Sequence, residues 1–119
     1  MGIQDIAWAD SSIHDLDAVH AILGEARGEG YDGMYAVACA LRNRGHLKGV
    51  YGLRARLHPN DLKLAPTALK AWKNSLCGKD VTHGATHWEN VEEFGTPFWA
   101  KAMTKTCKIG RHTFFRETL

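Results

Sequence analysis

The chain has 119 residues, a net charge of +2, 45% hydrophobic and 24% charged residues, which is the mix of an ordinary globular domain and leaves room for one core over residues 1–119. No apolar run approaches the ~18 residues of a membrane helix, which argues against stable membrane insertion. The charge is lopsided: residues 1–30 hold six acids against one base, and residues 31–119 seven acids against 14 bases, so the basic body suits an anionic polymer.

In chain order, Met1 to Ser12 carries Asp5 and Asp10 but no Lys or Arg, and does not read as a secretory signal. The first helix follows. Ser11 or Ser12 can cap it, Asp15 and Asp17 suit its positive end, and Ile13, Leu16, Val19, Ile22, Leu23 and Ala26 recur at helical period. Gly28 and Gly30 stop or loosen it. A second helix is expected over residues 32–44, with Met34, Val37, Ala38 and Leu41 as its stripe, small residues for close packing, and Gly45 at its end. Residues 46–64, basic and punctuated by Gly49, Gly52, Pro59 and Asn60, read as a long surface loop with at most a short helical turn. Pro66 suits the first turn of a third helix that buries Leu69, Trp72 and Leu76 and ends at Gly78. Beyond it, Ala85 to Val91 and Ile109 to Arg116 read as strands, with Gly110 as a bulge or turn, and Pro97 to Met103 as a short helix. The fold class is α+β: three main helices, then a small antiparallel sheet region toward the C-terminus. Cys39, Cys77 and Cys107 are odd in number and widely spaced, so no disulfide framework is expected; Cys39, inside an apolar run, reads as a buried free thiol made in a reducing compartment.

The sharpest chemical feature is Gly24-Glu25-Ala26-Arg27-Gly28-Glu29-Gly30. Glu25 lies on or beside the apolar stripe, where burial raises a carboxyl pKa toward what a general acid needs. Glu29 follows four residues later, on the same side if the helix persists, and the glycines leave room for a bulky substrate. Spacing alone equally suits two solvated residues at a frayed helix end, which is the commoner case. Two carboxylates on one side also do not make a dyad that flanks a glycosidic bond, so the pair fits a single acid with a helper. In Val81 to Asn90, His83 and His87 with Glu89 or His112 are conceivable zinc ligands, but Gly84 follows His83 where a zinc-protease helix has a glutamate. Strand core and cleft wall suit His87, Trp88 and Asn90 better. The aromatics Trp72, Trp88, Phe98, Trp99, Phe114 and Phe115 could line a sugar groove, although Trp72 and Trp99 read first as core. Scattered bases without a recognition signature leave nucleic acid unsupported as a partner.

Four blocks in order then resemble the cell wall hydrolase family typified by the spore-cortex lytic enzyme SleB: residues 21–30 with Gly33 and Ala36-Val37-Ala38; Leu41-Arg42-Asn43-Arg44; Gly84-Ala85-Thr86-His87-Trp88; and Pro97-Phe98-Trp99 with Ile109-Gly110-Arg111-His112-Thr113-Phe114-Phe115. They span about residues 18–116. The resemblance implies a lysozyme-like fold and cleavage of peptidoglycan glycan strands between N-acetylmuramic acid and N-acetylglucosamine. It implies a lytic transglycosylase route with Glu25 as the one catalytic glutamate, with no metal or organic cofactor, and offers Glu29, Asn43, His87, Trp88, Asn90 and His112 as substrate-binding candidates. Residues 45–64 depart from the family: they are basic and lack its apolar linker and Gln-Phe-Ser-like segment. A catalytic domain with neither signal nor wall-binding repeats resembles a phage or prophage endolysin, made in the cytoplasm and acting on the wall, and a monomer is expected. Two rivals stay open: a zinc-dependent wall amidase or endopeptidase using His83, His87 and His112, and a non-catalytic wall-binding module.

Overall fold

The first helix of the computed structural model, α1 (Asp15–Ala26), buries Ala18, Val19, Ala21, Ile22, Leu23 and Ala26. The structure describes residues 13–118, so the expected caps Ser11 and Ser12 and the segment assessed for a signal lie outside the described residues. Burial on α1 begins only at Ala18; Leu16, expected on the stripe, is 83% exposed. Asp15, besides favouring the positive helix end, accepts a hydrogen bond from Trp72 Nε1 at 2.8 Å, which gives a buried indole the polar partner it needs.

α1 stops at Ala26, and α2 (Gly30–Arg44) starts after a short turn in which Gly30 takes φ +72°. Glu29 therefore stands at the N-cap position of a new helix, without a side-chain capping bond, and does not continue the face that carries Glu25. α2 begins two residues earlier than expected and is buried through its middle, from Met34 to Leu41 except Tyr35. Its small side chains let α1 and α4 (Ala65–Cys77) both pack on it, and those two helices also pack on each other. Gly45, left-handed at φ +77°, closes it. Pro66 sits in the first turn of α4 as expected, but the buried face is Ala68, Ala71, Trp72 and Ser75, and Leu76 is 55% exposed. Arg42 sets that face. It reaches across from α2 to donate to Trp72 O (2.6 Å) and Ser75 Oγ (3.1 Å), with its guanidinium 3.4 Å from the Trp72 ring centre.

The segment expected as loop contains a 3₁₀ turn, Tyr51–Arg54, and the short helix α3 (Pro59–Leu62). It lies on α1: His20 Nε2 is hydrogen-bonded to Ala55 O at 3.0 Å, and the backbone at Gly52 meets the helix at Gly24.

The sheet is antiparallel, in the order β1 (His87–Glu89), β3 (His112–Glu117), β2 (Met103–Ile109). β1 is shorter than expected because Asn90 leaves the strand to cap α5 (Val91–Phe94), accepting from Glu93 N at 3.1 Å. β3 buries its first four residues, His112 to Phe115. β2 was not expected as a strand. Residues 98–102 form the anticipated short helical segment, as a 3₁₀ turn.

Between α4 and β1, Asp80 organises the loop. Its carboxylate accepts from Asn43 Nδ2 (2.8 Å), Thr82 N (2.8 Å), Thr82 Oγ1 (2.6 Å) and Gly84 N (2.8 Å). Burial opposes its charge, but these bonds outweigh burial and hold its pKa below the usual carboxylate range. A depressed native pKa contributes stability above about pH 4, the unfolded carboxylate's range, and that contribution fades as pH falls through the lower native value. Asp80→Ala is expected to cost about 1–2 kcal/mol, discounted for the loop's exposure. Urea unfolding at pH 7 reads the loss, and the difference from wild type should shrink on acidification.

Candidate active site

A cleft of about 700 Å³ opens between the end of α1, the 3₁₀ turn after α2, the strand β1 and the β2–β3 turn. Glu25, in the last turn of α1, is fixed there by two donors from different elements. Gly52 N–H donates to Oε2 at 2.7 Å, and Trp88 Nε1 donates to Oε1 at 3.1 Å. Each carboxylate oxygen has a second lone pair, so the group is held in orientation and still free to exchange a proton with a ligand.

Two glycines make the first donor possible. A Cβ on Gly52 would lie 2.5 Å from Ala21 O and 2.6 Å from Glu25 Cγ, and a Cβ on Gly24 would overlap the Gly52 carbonyl oxygen. Only bare backbone lets the turn press against α1 closely enough to aim its N–H at the carboxylate. The second donor is set by the sheet: Trp88 pairs with Phe114 in β3, and the two rings stand 6.5 Å apart. Arg44, at the end of α2, adds a cation. It donates to Thr86 O (3.0 Å) and Lys48 O (2.5 Å); burial lowers its pKa, and the charge of Glu25 counters that.

Glu29 has a different role from Glu25. Its side chain is 8% exposed; Oε1 accepts from Arg111 N at 2.8 Å, and Oε2 lies 2.9 Å from His112 Nδ1, a contact short of straight hydrogen-bond geometry. It clamps the β2–β3 turn to the α1–α2 junction. Gly110, at φ +60°, and Gly33 leave the space for it. His112, 7% exposed, is thereby fixed beneath the cleft wall.

His87, Trp88, Asn90 and His112 all line the cleft together with Glu25 and Glu29. His87 packs against Trp99 with ring centres 5.1 Å apart and planes tilted by 51°, and its Nδ1 is 2.8 Å from Thr86 Oγ1; burial and then the Arg44 charge depress its pKa. Trp99 stands edge-on to Phe115 and also faces the cleft, as wall more than core. Trp72, by contrast, is core. Asn43 is not on this wall: its amide hydrogens go to Asp80 and to Ala85 O (2.9 Å), so it ties the 80–85 loop to α2. The three histidines of the zinc alternative do not converge. His83 sits in the 80–85 loop at φ +54°, His87 against Trp99 and His112 against Glu29, and no three such ligands gather among the described residues.

The sequence reading missed Gly52, Tyr51, Arg44 and Phe94, all at or beside the cleft. The Asn-Arg block pointed to Arg44's neighbourhood; nothing local marks Gly52.

No protein-family model matches the chain. It is 29% identical to a spore cortex-lytic enzyme of Halalkalibacterium halodurans over 90% of its own length, and spans about a third (35%) of that relative. The catalytic domain of the Bacillus cereus SleB protein superposes with a TM-score of 0.61 at 28% identity, covering 86% of this chain and 89% of the other. The catalytic domain of the germination-specific lytic transglycosylase SleB from Bacillus anthracis gives 0.63 at 27%, covering 86% and 93%. In sequence and in its α+β fold, the chain is similar to the SleB catalytic domains.

Proposed function

We propose that this chain is a peptidoglycan glycosidase that cleaves the bond from N-acetylmuramic acid to N-acetylglucosamine, with Glu25 as its single acid and base. The observation that carries this is the carboxylate of Glu25, gripped by Gly52 N–H and Trp88 Nε1 at an open cleft. The SleB-like relatives support the substrate class, and the description of the B. anthracis domain supports the route.

In that route, protonated Glu25 gives its proton to the glycosidic oxygen as the bond to the anomeric carbon breaks. The carboxylate then takes the proton of the muramic acid 6-hydroxyl, whose oxygen bonds to the anomeric carbon. The products are a 1,6-anhydro end and a free 4-hydroxyl on the leaving sugar, and no water is consumed. The two N–H donors stabilise the carboxylate between these steps. Because Glu29 is committed to Arg111 and His112, it serves by placing the β2–β3 turn.

Digestion of purified sacculi tests the reading. New sugar ends should appear, unaffected by EDTA. Loss of activity with EDTA and its return with zinc would favour the amidase or endopeptidase alternative; pelleting with sacculi without new ends would favour a binding module. Trp88→Phe removes one donor and keeps the ring, and should lower turnover about tenfold, the loss of one charge-assisted hydrogen bond. Steady-state kinetics on soluble glycan fragments measures it. An endolysin role belongs to the same proposal: cells expressing the protein should lyse when chloroform opens the cytoplasmic membrane, and cells expressing Glu25→Gln should not.

A further inference from the structure

Arg44 and His87 line the cleft on one side and a second cavity, of about 600 Å³, on the other. This second cavity carries two guanidiniums, Arg44 and Arg116, beside the rings of His46 and His87, and Glu117 is the one acid among its described lining residues. Among the described residues, neither guanidinium is paired with a carboxylate by contact. Arg44 donates to the carbonyls of Thr86 and Lys48 and has a buried Nε with no acceptor, and Arg116 donates to Glu117 O at 3.1 Å. The positive field registers on His87, whose pKa burial lowers first and Arg44 and His46 lower further, against the pull of Glu117.

We propose that this second cavity receives the free carboxylates of the stem peptide borne by the muramic acid in the cleft. The inference rests on the glycan-cleaving reading. A stem peptide is tethered to the sugar being cut, so a muramic acid held at Glu25 presents its carboxylates to an adjoining cavity at high effective concentration. Guanidinium forks match carboxylates in shape and charge, and two of them line the same space. An untethered anion would have the same chemistry but no link to the cut sugar, so the tether predicts an effect on the cleavage rate itself.

The test compares rates on glycan strands that carry stem peptides with rates on the same strands stripped of peptide by an amidase, at subsaturating substrate. Wild type should prefer the peptide-bearing strands roughly tenfold, the value of one charge-assisted bond. The ratio should fall severalfold in Arg116→Gln, which removes one of the two guanidiniums, and further in Arg116→Glu. Equal wild-type rates on the two substrates, or variants that keep the wild-type ratio, would overturn the inference and leave glycan cleavage standing. Absence of cleavage of either substrate by wild type would instead overturn the reading beneath it. The wild-type ratio requires no variant, so a variant that fails to fold does not remove the test.

Discussion

Glu25→Gln should lose glycan cleavage by roughly 10²–10⁴-fold, the usual contribution of a positioned acid–base group, while remaining folded. The substitution keeps the shape of the side chain and one oxygen. That oxygen can accept from Gly52 N–H or from Trp88 Nε1, but the amide nitrogen turns a donor toward the other partner. The cost of this mismatch is about 1–2 kcal/mol, too little to unfold an ordinary domain. Release of new sugar ends from sacculi, followed beside thermal melting, separates the two effects. A variant as active as wild type would remove Glu25 from the chemistry; a variant that is inactive because it is unfolded would leave the assignment to be read from Trp88→Phe.

Gly52→Ala should cost both stability and rate, even though the residue carries no functional group. The new methyl would sit 2.5 Å from Ala21 O and 2.6 Å from Glu25 Cγ, and helix backbone cannot yield. The 3₁₀ turn must therefore lift off α1, at about 1–3 kcal/mol of overpacking. Lifting withdraws the N–H from Oε2 and lets the carboxylate rotate. A displacement of about 1 Å at a reacting group costs on the order of 10²-fold in turnover. Kinetics should show a loss in kcat, because the carboxylate loses its orientation, and urea unfolding should show the lower midpoint. Unchanged kcat in a destabilised protein would mean that the Gly52 donor is dispensable.

The helices were legible because their signals are local: apolar residues at helical period, Pro66 in a first turn, Gly45 and Gly78 at ends. Glu25 stood out for the same reason, since its place beside Leu23 and Ala26 is set by one helix. Errors cluster where a non-local partner decides. Leu76 lies on a plausible stripe, but Arg42 from the neighbouring helix draws the Trp72 and Ser75 face inward. Glu29 reads as a continuation of α1 until the turn before Gly30 breaks the helix and hands it to Arg111, 82 residues away. β2 escaped notice because Met103–Ile109 is largely Lys and Thr, the composition of an edge strand, with a register irregularity between Lys105 and Cys107 that blurs its alternation. Gly52 was the least legible of all. It lies in a basic, glycine-punctuated stretch with no periodicity, and its importance is a close approach to Gly24 that only the folded chain reveals. Asn43 shows the converse: a residue singled out from a motif, whose amide is consumed in holding the Asp80 loop.

Mass spectrometry of the muropeptides released from one batch of purified sacculi, by wild type and by Glu25→Gln side by side, tests the role of Glu25 most directly. Wild type should yield fragments ending in anhydromuramic acid, one water lighter than hydrolysis products, and the variant should yield almost none. Identical fragments from both proteins, or wild-type products newly cut only at peptide or amide bonds, would contradict it.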